Sequence, residues 1–160
     1  VRERPHLVRG LRSAWFDAEG VATRDSALVE DGVLSRYVLG SYSARRLGLE
    51  STGNAGGVRN VEVAANAGGQ DALLRTMGTG LLVTDLMGQG VNPVTGDYSR
   101  GASGFWVEGG AIAWPVEGIT IAGNLRSMFQ AIEAVGSDID PRSHLRTGSI
   151  LLDGMTVAGG

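Results

Sequence analysis

Glycine sets the first limit on what this chain can fold into. The 160 residues include 26 glycines, which recur as pairs such as Gly56-Gly57, Gly68-Gly69, Gly109-Gly110 and Gly159-Gly160 rather than with the three-residue period of a collagen helix. Glycine reaches positive φ without steric cost and weakens the interior of helices and strands. Spacing of this kind predicts many tight turns between short elements, and a length of 160 residues fits one domain with a single core.

Between the glycines the apolar pattern changes period. In "VATRDSALVEDGVLSRYVLG" the residues Val29, Val33 and Tyr37 fall at strand spacing, and Asp31-Gly32 between them is a hairpin signal. "SYSARRLG" reads as a short helix capped by Ser41, with Arg45 and Arg46 near its negative end and Gly48 past its C-terminus. "VRNVEVAA" alternates as a strand. "GGQDALLRTMG" puts Leu73, Leu74 and Met77 on one helical face, and "LLVTDL" is apolar enough for a buried strand. "SGFWVEGGAIAWPVEGITIAG" is strand, turn and strand. "NLRSMFQAIEAVG" is a helix with Asn124 as cap, a stripe of Leu125, Met128, Phe129 and Ile132, and a stop at Gly136. "SILLDGMTVAGG" closes with a further Asp-Gly turn.

The stretches "LVEDGVLSRYVLGSYSARRL" and "WVEGGAIAWPVEGITIAGNL" share a Val-Glu-x-Gly turn and lead to a helix. They are either an internal duplication of a hairpin-helix unit or two hairpins obeying the same turn chemistry. The predicted class is α+β: antiparallel sheets, barrel-like if they close, with short amphipathic helices.

Composition excludes several functions. Net charge is −3, and arginines such as Arg45, Arg46, Arg59, Arg75, Arg100 and Arg126 are scattered, so no basic face for nucleic acid is expected. The chain has no cysteine, which removes disulfides and thiolate chemistry and suits a reducing cytoplasm. No apolar run is long enough to span a membrane, and "VRERPHLVRG" lacks the core of a signal peptide. A start at Val1 suggests a piece of a longer protein.

The residues offer little catalytic chemistry of their own. His6 and His144 have no second ligand at helical spacing, so no metal site is expected in this chain. Ser103 in "RGASGFW" fails the G-x-S-x-G elbow. Asp85, Asp97, Glu108 and Glu117 are either acid-base carboxylates or solvated turn residues. "GTGLL" and "GQGVNPVTG" do not open a helix after a strand as a dinucleotide site needs. What remains is "GQGVNPVTGDYSRGASGFWVEGG", where Asp97, Tyr98, Ser99, Arg100, Phe105 and Trp106 stand among glycines that permit close backbone approach. It is either a docking surface for a peptide or partner, or a bulged strand whose aromatic residues are core.

"GTGLLVTDLMGQGVNPVTGDYSRGASGFWVEGG", followed by "PVEGITIAGNL", "GSDID" and "SILLDGMTVAGG", closely resembles the C-terminal region of the TldD/PmbA family, the so-called modulators of DNA gyrase. "FDAEGVATRD" and "DGVLSRYVLGSYSARRLGLESTGNAGG" extend the resemblance over essentially the whole chain. It implies a cytosolic protein in which two related subunits form a zinc peptidase acting on peptides and unfolded segments. The TldD-type subunit carries the zinc on an "HExxxH" helix with a late Cys. The PmbA (TldE) type lacks that motif and helps form the substrate cleft. "TGDYSRGASGFW" is similar to the PmbA type, and Thr147 stands near where the Cys would fall. By resemblance this chain is the non-catalytic subunit, with zinc in its partner and Asp97, Tyr98, Ser99, Arg100, Phe105 and Trp106 near the cleft or interface; homodimer formation is a further expectation, and a stand-alone binding or regulatory module is the alternative.

Overall fold

The computed structural model describes residues 1–159. In chain order the first elements are β1 (Arg2–Glu3), β2 (Ser26–Ala27), β3 (Val29–Glu30), β4 (Val33–Leu34), α1 (Ser41–Leu47) and β5 (Val61–Glu62). Then come α2 (Gln70–Met77), β6 (Gly80–Met87), β7 (Asp97–Glu108), β8 (Ala111–Asn124), α3 (Leu125–Gln130) and β9 (Ile132–Val135). The chain ends with β10 (Leu145–Arg146), β11 (Ile150–Leu152) and β12 (Thr156–Ala158). This is the expected α+β class, with antiparallel pairing throughout except for β5 beside β10. Among the described residues no sheet closes into a barrel. Among the described residues no helix is long and apolar enough to cross a membrane.

Two compact units form, Val1–Ala64 with Ile139–Thr147, and Ala65–Asp138 with Gly148–Gly160. In the first unit the sheet runs in the order β10-β5-β1-β2, with strands of two residues each. Such strands bury little apolar surface, and only Leu39, Ala44 and Val61 are buried hydrophobics there. The interior is polar instead: Glu3, Asp17, Thr23, Asn54 and Asn60 are all buried. Buried polar groups are tolerable only when bonded, and these are. The Glu3 carboxylate accepts from the Arg36 guanidinium, from Asn54 Nδ2 at 2.8 and 3.0 Å, and from the Arg59 N–H at 2.6 Å. Asn54 Oδ1 in turn accepts from Arg36 at 2.8 Å and from the Thr52 hydroxyl at 2.7 Å. Asn60 accepts from the Arg12 N–H and donates to Arg4 O and Ser13 Oγ.

Local turn chemistry holds where it was expected. Asp31 (φ 49°) and Gly32 (φ 77°) make the β3–β4 turn, and Gly48 ends α1 in the left-handed region. Three expectations here need correction. Tyr37 lies outside the strands and is exposed. Ser41 is the first residue of α1, not its cap; the cap is Gly40, and Glu19 Oε2 accepts the Ser41 N–H at 2.8 Å from outside the helix. "VRNVEVAA" is paired only over Val61–Glu62, because neighbouring strands of two residues leave nothing longer to pair with.

The second unit is built on a long hairpin. β7 and β8 meet at Gly109 (φ 57°) and Gly110 (φ 77°), the paired positive φ of a type I′ turn, and the sheet order is β12-β8-β7-β6. Ala102, Ile119 and Ile121 form its core with Leu81, Val83, Tyr98, Val116 and Met155 packed against them. "LLVTDL" is not a buried strand: β6 is an edge strand, half-buried at first and exposed from Thr84 onward. The last helix is shorter than its apolar stripe suggests. Asn124 caps it by accepting the Arg126 N–H at 3.1 Å, but it stops at Gln130, Phe129 is exposed, and Ile132 belongs to β9, which pairs with β11. Asp153-Gly154 sends the chain from β11 on that ribbon to β12 on the larger sheet. The two similar stretches share the turn but not the strands, which are two residues long in the first and 12 and 14 in the second.

Removing the Glu3 charge strands Arg36, so Glu3→Gln is expected to destabilise the protein by about 3 kcal/mol in urea denaturation. Burial pushes the Asp17 carboxyl up, but the N–H groups of Ala55, Glu19 and Val21 together lower its pKa below the ordinary 3.8. A depressed native pKa adds stability that is complete above the unfolded value and is lost as pH falls through the native one. Unfolding free energy measured from pH 6 downward should therefore decline on passing below pH 3.8, and Asp17→Asn should flatten that decline.

Candidate functional site

The 88–110 segment is mostly strand. Its first part is a compact loop: Asn92 Oδ1 accepts the N–H groups of Val94 and Thr95, and the Thr95 hydroxyl donates to Asp97 Oδ2 at 2.7 Å. Asn124 Nδ2 donates to Thr95 O, and the Leu125 N–H to Gly96 O, tying this loop to the start of α3. The rest is β7, hydrogen-bonded on both sides, to β6 and to β8.

The glycines do allow close approach of backbones, but within the chain. A Cβ on Gly104 would stand 1.9 Å from Leu82 O, so only glycine lets β6 lie this close to β7. Opposite Ser103, the two residues Glu117 and Gly118 of β8 face one residue of β7, and Thr84 is the extra residue on β6. These bulges bend the sheet, and this unit carries a groove of about 610 Å³. Its walls are α2 (Leu73, Met77), the sheet (Leu81, Ile121) and the end of the chain (Leu151, Met155).

Alternation along β7 decides which expected site residues reach that groove. Tyr98 and Trp106 line it. Trp106 is held by stacking on its cross-strand partner Trp114, with centroids 6.4 Å apart, and by donating to Glu108 at 3.3 Å. Asp97, Ser99 and Phe105 lie at the alternate positions and are not among its lining residues. Arg100 shares the parity of Tyr98 but donates from Nη2 to Leu86 O at 3.2 Å, while its buried Nε has no hydrogen-bond partner among the described residues.

The remaining chemical candidates stay apart. Asp85, Asp97 and Glu108 each accept from a residue close in sequence, Thr84, Thr95 and Trp106 respectively. Ser103 has no hydrogen bond to a histidine or carboxylate among the described residues. His6 stacks on Trp15 at 4.5 Å and bonds Thr23 at 3.0 Å. Among the described residues no three of His, Asp and Glu come together as they would around a metal ion, so the donor set does not fit a zinc site.

Two groove residues escaped the sequence reading. Glu133 and Asp153 both line the groove, and they sit on the β9–β11 ribbon beside the paired Ile132 and Leu152. The run of apolar and β-branched residues in "IEAV" was the available signal that this stretch is a strand.

Comparison with known proteins follows the fold closely. Residues 1–159 match the family model described as the PmbA/TldA metallopeptidase C-terminal domain. The chain is 60% identical over 99% of its length to the metalloprotease PmbA homolog of Haemophilus influenzae, covering 36% of that protein. It is 27% identical over 80% of its length to the metalloprotease TldD homolog of the same organism, covering 29% of it. Among solved structures it resembles a protein from Thermotoga maritima named as a modulator of a DNA gyrase, with TM-score 0.89, 36% identity and coverage of 98% and 38% of the two chains. TldE from Thermococcus kodakarensis matches with TM-score 0.82 and 27% identity, covering 99% of this chain and 39% of that one. The chain thus spans about a third of the length of the relatives it matches.

Alanine at position 104 would force β6 away from β7. Gly104→Ala is expected to cost at least about 2 kcal/mol, read as a lower urea midpoint, whereas Gly101→Ala, whose Cβ would meet Met87 at an ordinary 3.5 Å, should cost much less.

Proposed function

The chain belongs to the PmbA/TldA metallopeptidase C-terminal domain family, and from that premise we propose that it acts as part of a PmbA (TldE) type subunit in a heteromeric zinc metallopeptidase of the cytoplasm. The observation that carries this reading is the asymmetry between relatives, 60% identity to a PmbA homolog against 27% to a TldD homolog of one organism. In this reading the TldD-type subunit holds the zinc, and this chain contributes scaffold, part of the subunit interface and a groove for an unfolded segment.

Each role has a structural counterpart. The hairpin of β7 and β8 carries a buried core of Ala102, Ile119 and Ile121. The groove is apolar and open to solvent, and Tyr98 and Trp106 present broad, amphipathic side chains of the kind enriched where one protein binds another. Asp97, Ser99, Arg100 and Phe105 belong to the proposed interface, since they lie on the same strand outside the groove. A face shaped for a related subunit also permits self-association. A second reading, regulation by protein contact without proteolysis, draws on the name given to the Thermotoga maritima relative.

The two readings separate in one assay. Mixed with a TldD-type subunit, the protein is expected to degrade an unstructured peptide, with activity lost on zinc chelation and absent from the protein alone. Chelator-resistant cleavage by the protein alone would defeat the proposal. Stable binding of a folded partner with no cleavage in any mixture would favour the regulatory reading.

A further inference from the structure

The groove of the second unit has a one-sided charge. Its walls are aliphatic and aromatic, its two charged lining residues are Glu133 and Asp153, and no arginine lines it. Both carboxylates are exposed, and neither makes a side-chain hydrogen bond or ion pair among the described residues. Glu133 follows Ile132 and Asp153 follows Leu152, the two residues paired across the antiparallel ribbon, so the carboxylates lie on either side of that pair. The imbalance extends beyond the rim: this unit carries eight carboxylates (Asp71, Asp85, Asp97, Glu108, Glu117, Glu133, Asp138 and Asp153) against Arg75, Arg100 and Arg126, a side-chain charge of −5.

A ligand that fills such a groove has to satisfy both features. Large aliphatic side chains remove the apolar walls from water. An acidic segment would meet like charge at the rim and through the field of the whole unit, whereas a lysine or arginine next to the buried side chain gives each free carboxylate a partner. We propose that this groove binds extended peptide segments combining leucine-like side chains with lysine or arginine, and that Glu133 and Asp153 set the preference for cationic over anionic sequences. The proposal deepens the groove role assigned above and rests on it. Exposed pairs are individually weak, so the effect is one of selectivity: about a five-fold preference at low salt, shrinking as salt screens it.

Fluorescence anisotropy of two labelled peptides, Gly-Leu-Lys-Leu-Lys-Leu-Gly and its glutamate counterpart, tests this with the 160-residue chain. The lysine peptide should bind about five-fold more tightly. In the Glu133→Gln, Asp153→Asn double variant, whose changes are isosteric and on the surface, the gap should fall below about two-fold, while circular dichroism stays that of the parent. Equal affinities, a preference for the glutamate peptide, a preference that survives the double variant, or no binding of either peptide would each overturn it. Selective binding together with failure of the two-subunit cleavage assay would instead discard the peptidase reading and leave the groove's selectivity standing.

Discussion

The carboxylate of Glu3 is the constraint on which the first unit turns. It lies at the chain's beginning, almost wholly buried at 2% exposure, and it draws Arg36, Asn54 and Arg59 around itself. A buried ion is costly to desolvate, so the segments that bring it partners must all be in place together. The result is an interior specified by hydrogen-bond geometry. Strands of two residues suffice because they do not have to supply the cohesion; they have only to hold Glu3 and Val61 in register.

The second unit solves the same problem by the opposite means. Its long hairpin has apolar residues on the core face, and its turns are set by glycines that no other residue could replace without strain at positive φ. Here the polar groups lie at the margins, on the loop around Asn92 and on the β9–β11 ribbon. That arrangement makes a groove with an apolar floor and an acidic rim, and it puts the aromatic residues Tyr98 and Trp106 on the groove side of β7.

What was legible in the sequence was mostly local. Asp31-Gly32, Gly109-Gly110, the end of α1 at Gly48 and the cap at Asn124 each depend on a few consecutive residues. Ile132 was misread because its fate depends on Leu152, its pairing partner twenty residues away. Ser41 was misread because the acceptor for its N–H, Glu19, comes from a distant loop. The polar interior left no trace at all, since apolar periodicity cannot distinguish a buried Asn54 or Asn60 from a solvated one. At the candidate site, alternation along a correctly recognised strand separates Tyr98 and Trp106 from Asp97, Ser99 and Phe105, but Glu133 was hidden by the helix assigned to its neighbourhood, and Asp153 was read only as a turn residue. Family resemblance was legible because it rests on long runs of residue identity, which need no knowledge of pairing.

The discontinuity of the first unit bears on how the chain acquires its structure. Its strand β10 pairs with β5 through Leu145 and Val61, so the sheet is complete only after the whole of 65–138 has been made. The β7–β8 hairpin closes through a two-residue turn and has small loop entropy to overcome, whereas the β5–β10 contact closes a loop of more than eighty residues and carries a correspondingly larger entropic penalty. On loop entropy alone, the hairpin closes more readily than the β5–β10 contact. During synthesis, then, the buried charge of Glu3 can find its partners early, but Val61 waits with one edge unpaired until Leu145 emerges.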